Sequence, residues 1–244
     1  MTKYPFSLIA SLLIPLILIS CSSGDKPGRP GKEKTRVQKV YGHSDILVSE
    51  ITMKGEVRHG PTRNYYESGK IQSVINFENG IQQGEAVWYY EDGKPYQISQ
   101  YINGKIEGLQ KKYYKSGRIL AEVPFYRGEQ KVGMKEYTEA GELITDYPQI
   151  EFEKPVKTSR SGQFLLRMHM SDNSKEVVFE QVITNVPGDT VIAKVNTIDG
   201  TGEIPFFVEK GQSVAAQVQL RARIRTRLKN IYIAERQYYV KIKN

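Results

Sequence analysis

Cysteine, tryptophan and histidine are scarce in this chain of 244 residues, which has one cysteine, one tryptophan and three histidines. The single cysteine, Cys21, cannot form an intramolecular disulfide, and it cannot supply the several thiolates that a cysteine-based zinc or iron–sulfur site needs. His43, His59 and His169 lack the i, i+4 spacing of a helical metal site. We therefore expect no metal and no other cofactor.

Long apolar runs are also missing beyond the first twenty residues. Lys3 supplies a positive charge, and residues 6–19 form an apolar stretch that is too short to cross a hydrocarbon core of ~30 Å comfortably. Residues 1–20 are therefore typical of a secretory signal peptide. They end in Leu18-Ile19-Ser20-Cys21, which resembles the lipobox of bacterial lipoproteins. The resemblance implies cleavage before Cys21 and acylation of this residue, palmitate included; an ordinary signal peptide with a chance cysteine is the alternative.

The residues after the cysteine bear on localisation. Ser22 and Ser23 follow it, with no aspartate at the next position, and by the sorting rule of enteric bacteria this is similar to an outer-membrane lipoprotein. Each buried methylene of an acyl chain contributes ~0.8 kcal/mol to membrane binding. We expect a lipid-anchored protein of the bacterial cell envelope, attached to the outer membrane and facing the periplasm.

Residues 21–44 are rich in proline, glycine and charge and have almost no apolar side chains before Val37. This composition predicts a disordered basic tether. Its six basic residues outnumber two acidic ones. Adhesion to an anionic membrane and a purely solubilising role both remain open.

An internal repeat organises residues 45–149. Gly69, Gly93, Gly117 and Gly141 are spaced 24 residues apart. The same period separates the pairs Tyr65-Tyr66, Tyr89-Tyr90 and Tyr113-Tyr114. Turns with Asp-Gly or Asn-Gly separate the short aromatic runs, a pattern typical of β-hairpins. Because a fixed period indicates repeated structural units, the hairpins are expected to stack into one long twisted sheet.

The run Gly84-Glu-Ala-Val-Trp-Tyr-Tyr-Glu-Asp-Gly-Lys, followed by Gln100-Tyr-Ile-Asn-Gly-Lys-Ile-Glu-Gly108, resembles the variant MORN repeat. Residues 55–147 share the pattern in some four units. The last unit departs from it, with Glu136-Tyr137 where the others have two tyrosines. The resemblance implies a hairpin array, and many proteins with this repeat carry an antitoxin-type label.

Four tyrosines of the repeats are candidate surface aromatics for partner binding. They are Tyr65, Tyr89, Tyr113 and Tyr137. The competing interpretation makes them cross-strand partners inside the stack, each with a hydroxyl that must reach water or an acceptor. A face or an edge of such a sheet is still suited to docking a protein, as repeat arrays commonly are.

Residues 150–244 are expected to form a separate domain, because the 24-residue register ends near Pro148. Residues 163–170 alternate in polarity, which predicts a strand with one buried face. That face consists of Phe164, Leu166, Met168 and Met170. Further strands at 177–183, 190–195 and 204–208, separated by turn signals, indicate an immunoglobulin-like β-sandwich. The expected fold class is thus all-β: a stacked hairpin repeat sheet of the MORN kind followed by a sandwich.

Residues 217–229 place apolar side chains at even positions and cations at odd ones. The cations are Arg221, Arg223, Arg225, Arg227 and Lys229. Strict alternation predicts a strand with all five on one face. This row is interpreted either as a solvated face opposite carboxylates such as Glu235, or as a contact for an anionic envelope component: lipopolysaccharide phosphate, peptidoglycan carboxylate or an acidic protein surface. Much of the formal net charge of +8 is concentrated in this row and in the tether.

Motifs of catalysis are missing as well. The chain has no Gly-x-Ser-x-Gly elbow and no phosphate-binding loop. Glu67 and Glu91 recur in hairpin turns, where turn propensity explains them. We expect a protein that is not an enzyme, although carboxylates that converge only on folding leave an envelope hydrolase as an alternative.

The expected function is that of a membrane-anchored lipoprotein that acts as a protein-binding or scaffolding module, as part of a trans-envelope or secretion assembly. Its expected partners are the membrane, through acylated Cys21, and a protein of the envelope, with an anionic envelope component as a further partner. Nucleic acid is not expected, because an exported lipoprotein rarely meets it. The alternative function is that of an immunity or antitoxin-type protein that binds and neutralises a toxin.

Overall fold

The computed structural model describes residues 34–186 and 189–244, and these form one compact unit. Their regular structure is all β-strand except for one turn of 3-10 helix at His43–Asp45. The described residues contain no helix that is long and apolar enough to cross a membrane. The predicted signal peptide, Cys21 and most of the predicted tether lie outside the described residues.

The first eleven strands form one antiparallel sheet, here called the repeat array. Its strands are β1 (Thr35–Tyr41), β2 (Leu47–Lys54), β3 (Val57–Tyr65), β4 (Ile71–Glu78), β5 (Ile81–Tyr89), β6 (Pro95–Ile102), β7 (Lys105–Tyr113), β8 (Ile119–Tyr126), β9 (Glu129–Gln130), β10 (Lys135–Tyr137) and β11 (Leu143–Ile144). Each strand pairs with the next along the chain, except that β9 pairs only with β8, and β8 then pairs with β10. The predicted stack of hairpins is confirmed.

The array begins earlier than the sequence predicted. Strand β1 pairs with β2 from Thr35 opposite Lys54 onwards, so the stretch 35–41 is a strand and not part of a disordered tether. Two of the basic residues assigned to the tether meet carboxylates of the array. Arg36 lies 2.7 Å from Glu56, and Lys39 lies 3.5 Å from Glu50. The composition did not predict this strand, because its charges are balanced by residues that lie later in the chain.

The Asn-Gly turns connect the hairpins and also tie each one to its predecessor. Asn103 and Gly104 both have positive φ, at 51° and 77°, as a two-residue type I′ turn requires. The Gly104 amide donates a hydrogen bond of 2.9 Å to the carbonyl of Gln82, and equivalent bonds start from Gly80 and Gly128. The turns therefore add contacts between units to those of the strand pairing.

One face of the array carries a row of buried, mostly small or polar side chains. The row contains Thr62, Ala86, Gln110 and Met134, which are 24 residues apart, together with Ser99 and Val123. The Gln110 side-chain amide donates a hydrogen bond of 2.9 Å to the Ser99 hydroxyl inside this row. Because the array is a single layer, the sheet's own flanking side chains must provide most of this burial.

The remaining strands form two facing sheets. The strands are β12 (Ile150–Phe152), β13 (Val156–Lys157), β14 (Gln163–Met170), β15 (Val177–Val186), β16 (Asp189–Lys194), β17 (Asn196–Ile198), β18 (Thr201–Phe207), β19 (Ser213–Arg225) and β20 (Ile231–Lys243). One sheet has the order β12-β14-β18-β17, with β13 also on β14, and the other has the order β16-β15-β19-β20.

A single hydrophobic core joins these two sheets. Strand β14 buries Phe164, Leu166, Met168 and Met170, as its alternation predicted. Phe179 and Leu220 come from the other sheet, and both are fully buried in the same core. The arrangement is the predicted β-sandwich, and its first strand begins at Ile150, after the array ends at Ile144.

The end of the repeat array packs on the sandwich. The rings of Tyr147 and Tyr232 stack with centroids 4.1 Å apart. The Gln130 side-chain amide donates a hydrogen bond of 2.6 Å to the Ile231 carbonyl. Met134 is buried in a small cluster that includes both tyrosines. The two halves therefore share a packed interface and are not joined only by the connecting chain.

Candidate functional site

The second tyrosine of each pair links neighbouring repeat units. The Tyr66 hydroxyl donates a hydrogen bond of 2.5 Å to the Tyr89 carbonyl. Tyr90 donates in the same way to Tyr113 at 2.6 Å, and Tyr114 donates to Tyr137 at 2.7 Å. These bonds form a ladder that satisfies the hydroxyls within the sheet. These three hydroxyls therefore have their acceptors inside the array, and their tyrosines are not the ones named as candidate surface aromatics.

The four tyrosines that were candidate surface aromatics lie together on one face of the array, here called the tyrosine face. The strand alternation places Tyr65, Tyr89, Tyr113 and Tyr137 on the side opposite the buried row. At the two ends of the face the hydroxyls donate to carboxylates, from Tyr65 to Glu50 at 2.7 Å and from Tyr137 to Glu122 at 3.1 Å.

The centre of the tyrosine face is apolar. Cross-strand pairs place Val74 opposite Val87, and Val87 opposite Ile98, at its middle. Val74 and Ile98 occupy the positions that Glu50 and Glu122 hold at the ends, since each precedes a tyrosine of the face by 15 residues. The row of cross-strand pairs continues into Arg63 on one side and Lys111 on the other.

The residues at this centre remain accessible. Val74, Val87, Ile98, Tyr89 and Tyr113 are all partly exposed, and neither hydrophobic cluster of the described residues contains any of them. The tyrosine face is therefore an apolar patch with charged residues at both ends. The sequence predicted the tyrosines but not this patch, because its valines and isoleucine come from strands whose facing was unknown.

Alkaline pH is expected to weaken the array because its tyrosines are held in their neutral form. Burial, followed by neighbouring carboxylates, raises the pKa of Tyr65 (Glu50), Tyr90 (Asp92), Tyr114 (Glu139) and Tyr137 (Glu122). A tyrosine in an unfolded chain ionises near pH ~10. Above that pH the unfolded chain loses protons that the folded chain keeps, so the free energy of unfolding falls as the pH rises. The stabilising contribution is fully present below pH ~10.

Urea unfolding between pH 8 and pH 11 checks this expectation. The variant Tyr90→Phe with Tyr114→Phe should be less stable at pH 8, by about 1 kcal/mol for each lost hydrogen bond, and should lose less stability than the wild type on going to pH 11. Tyr239→Phe, at an exposed position, is the control. Equal losses between pH 8 and pH 11 in the double variant and the wild type would contradict the expectation.

The basic strand β19 is only partly as predicted. Two of its arginines are paired, with Arg221 Nε 2.6 Å from Glu235 and Arg223 Nε 3.1 Å from Glu180. Glu129 of the array also lies near them. Its pKa is lowered mainly by the hydrogen bond and charge of Lys131, with smaller contributions from Arg223 and Arg221. These two arginines are thus balanced by carboxylates, which favours the interpretation without a ligand.

The predicted row of five cations on one strand is wrong, because the strand ends at Arg225. Arg227 and Lys229 lie in the turn that leads to β20. The Thr226 amide donates to the Asn230 carbonyl at 2.9 Å, and Lys229 has a positive φ of 63°. Alternation continued in the sequence because Leu228 happens to fall in step with the strand.

A buried polar cluster joins the array to this turn. Glu136 is only 1% exposed and accepts hydrogen bonds of 2.6 Å from both the Thr226 hydroxyl and the Asn230 amide, and one of 3.2 Å from the Tyr147 hydroxyl. Lys112 donates to the Asn230 side-chain oxygen at 2.6 Å. Burial lowers the pKa of Lys112, and the charge of Glu136 opposes that shift.

Sequence reasoning missed this cluster. The available signal was the departure of Glu136-Tyr137 from the tyrosine pairs of the other units. Within the described ranges no group of three histidine, aspartate or glutamate side chains is arranged to hold a metal ion. Two features of the described residues are candidate sites: the tyrosine face and the polar cluster at the junction between the two halves.

Comparison with known proteins identifies the repeats. The family model described as the MORN repeat variant matches residues 58–79, 82–103 and 106–126. These spans correspond to the hairpins β3–β4, β5–β6 and β7–β8. No curated protein and no solved structure matches the chain significantly. The chain therefore contains variant MORN repeats across residues 58–126, which is less than half of its length.

Proposed function

We propose that the protein is an acyl-anchored lipoprotein of the bacterial envelope that acts as a non-enzymatic protein-binding or scaffolding module. The sequence Leu18-Ile19-Ser20-Cys21 after an apolar segment supports the anchor. The anchor holds the protein at the outer membrane, on the periplasmic side. The partner that carries the function is another protein of the envelope, bound within a trans-envelope or secretion assembly.

The observation that carries this proposal is the tyrosine face. Interfaces between proteins commonly have an apolar, aromatic-rich centre and a polar rim. The face matches that arrangement, with Val74, Val87 and Ile98 near Tyr89 and Tyr113, and with charged residues at its ends. Tyrosine is favoured in such centres because its ring provides contact area and its hydroxyl remains satisfied near water.

The geometry of the array supports a rigid platform. The tyrosine ladder and the turn hydrogen bonds connect each unit to the next. A preformed surface loses little conformational entropy when a partner binds, which favours affinity at a modest contact area. The partner therefore meets a sheet face that is already in its bound conformation.

Two substitutions at the centre of the face test the proposal. Val87→Lys combined with Ile98→Glu places opposite charges on a cross-strand pair, so that the sheet keeps a favourable pair while the apolar centre is lost. We expect the recovery of envelope partners with the tagged full-length protein, measured by quantitative mass spectrometry after crosslinking, to fall at least about tenfold.

The matched control is Val191→Lys with Ile192→Glu, which introduces the same charges at exposed positions on β16. It should recover the same partners as the wild type. Incorporation of labelled palmitate into the wild type and not into Cys21→Ser tests the anchor in the same cells. An unchanged partner set in the Val87 and Ile98 variant would refute the docking role of the face. A captured toxin that is inhibited by binding would instead favour the immunity function.

A further inference from the structure

A cleft of about 370 Å³ lies where the repeat array meets the sandwich, and it is here called the junction cleft. Its volume is within the range of small-ligand sites, ~300–1,000 Å³. Glu136 and Ile144 of the array line it, together with three segments: the linker 146–148, the turn 171–174 after β14, and residues 224–228, which comprise the end of β19 and the start of the turn that follows it. The cleft is distinct from the tyrosine face, and it brings together residues that are far apart in the sequence.

The walls of the junction cleft are held in place by the buried carboxylate at its base. Glu136 lines the cleft and accepts hydrogen bonds from Thr226 and Asn230, so the turn that follows Arg225 and carries Arg227 is fixed against the array. The base also includes the ring of Tyr147, which stacks on Tyr232. A site whose groups are positioned before binding loses less free energy when it takes a ligand.

The rim of the cleft carries both signs of charge. Arg225 and Arg227 are exposed, and within residues 34–186 and 189–244 neither forms a salt bridge, in contrast to Arg221 and Arg223. Asp146 and Asp172 come from the other two lining segments. The Asp172 carboxylate accepts hydrogen bonds of 2.7 Å from the Ser174 hydroxyl, which orients it.

This balance of charge indicates the class of ligand. Two guanidinium groups favour a carboxylate, to which arginine donates parallel hydrogen bonds. The two aspartates on the rim disfavour a polyanion and favour a ligand that also carries a cation. Apolar surface from Ile144, Pro148 and Leu228 lies between them and suits aliphatic groups.

We propose that the junction cleft binds a short peptide segment that carries both a carboxylate and an ammonium group. The carboxylate lies against Arg225 and Arg227, and the ammonium group lies towards Asp146 and Asp172. The peptide is either a small free peptide or the C-terminal segment of a larger protein, since both present the same chemistry. The inference is independent of the docking role proposed for the tyrosine face.

The test uses calorimetric titration of the full-length protein in detergent with the tetrapeptide Ala-Glu-Lys-Ala, first with free termini and then at the C-terminus of a folded carrier protein. Saturable binding of the free peptide only assigns the site to small peptides, and binding of both forms assigns it to protein termini as well. Either result supports the proposal. A doubly capped peptide with Gln in place of Glu should bind at least about tenfold more weakly.

The variant Arg225→Gln with Arg227→Gln should also reduce affinity for the free peptide at least about tenfold. Arg160→Gln, at an exposed arginine that does not line the cleft, is the matched control and should bind like the wild type. Equal thermal unfolding of the variants establishes that the fold is intact. The proposal is overturned by a lack of saturable binding, by wild-type affinity in the double variant, or by inorganic phosphate that competes as well as the peptide does.

Discussion

Replacing Glu136 with leucine is expected to lower the free energy of unfolding by about 3 to 5 kcal/mol. The substitution removes the acceptor of three hydrogen bonds, from Thr226, Asn230 and Tyr147, at a site with 1% exposure. Asn230 is itself buried, so its amide has no ready access to water. Buried donors without acceptors are more costly than the average hydrogen bond is stabilising.

Urea unfolding, followed with one spectroscopic probe in the array and one in the sandwich, tests this prediction. The wild type is expected to unfold in one transition, because its two halves share the junction, whereas Glu136→Leu should show separate transitions for the array and the sandwich. Glu136→Gln keeps one acceptor and should lose less stability. Glu139→Gln, at an exposed turn nearby, should stay within about 0.5 kcal/mol of the wild type. A single wild-type transition in Glu136→Leu would show that the cluster does not couple the halves.

Gly162→Ala is expected to lower the free energy of unfolding by more than about 4 kcal/mol, a large value for one methyl group. Gly162 has a φ of +87°, and an added Cβ would lie 2.1 Å from the Val208 carbonyl oxygen and 2.8 Å from the Asn244 side-chain nitrogen. The Val208 amide also donates to the Gly162 carbonyl at 2.9 Å. The methyl group therefore forces apart backbone segments that the sandwich holds together.

Gly211→Ala separates the cost of a side chain at positive φ from the cost of the steric clash, the two contributions to this loss of stability. Gly211 has a similar φ of +84° but open space around the position of a Cβ. Its substitution should reduce stability only by the backbone term, about 1 to 2 kcal/mol. Thermal unfolding monitored by circular dichroism compares the variants. If Gly162→Ala and Gly211→Ala were equally destabilising, the backbone at Val208 would have moved to accommodate the added methyl group, and the steric clash would contribute little.

Local patterns in the sequence predict those parts of the fold in which neighbours along the chain determine the structure. Strand β14 follows from alternation, since each buried residue on it is two positions from the next. The hairpin array follows from a fixed period and from Asn-Gly turns that require positive φ. In both cases the signal is contained within a single repeat or a single strand.

Contacts between distant segments could not be predicted in this way. Glu136 and Asn230 are 94 positions apart, and no local pattern marks either of them as a partner. The cations of the β19 region illustrate the opposite error. Their alternation was real, but Thr226 and Asn230 close a turn within it, and Glu180 reaches Arg223 from another strand. Whether a row of cations is neutralised depends on the residues that face it, and the fold determines which residues these are.

The tyrosine ladder has a mechanical consequence. Each rung reaches only the following unit, so the array has no bond that spans its full length. A load applied at Thr35 across the sheet is expected to separate β1 from β2 first and then to open the hairpins in turn, because β1 is the edge strand of the array. Every 24-residue unit released adds roughly 80 Å of extended chain, from ~3.3–3.6 Å per residue. Under such a load we therefore expect the array to lengthen in steps of one repeat unit, which force–extension measurement on the full-length protein would detect.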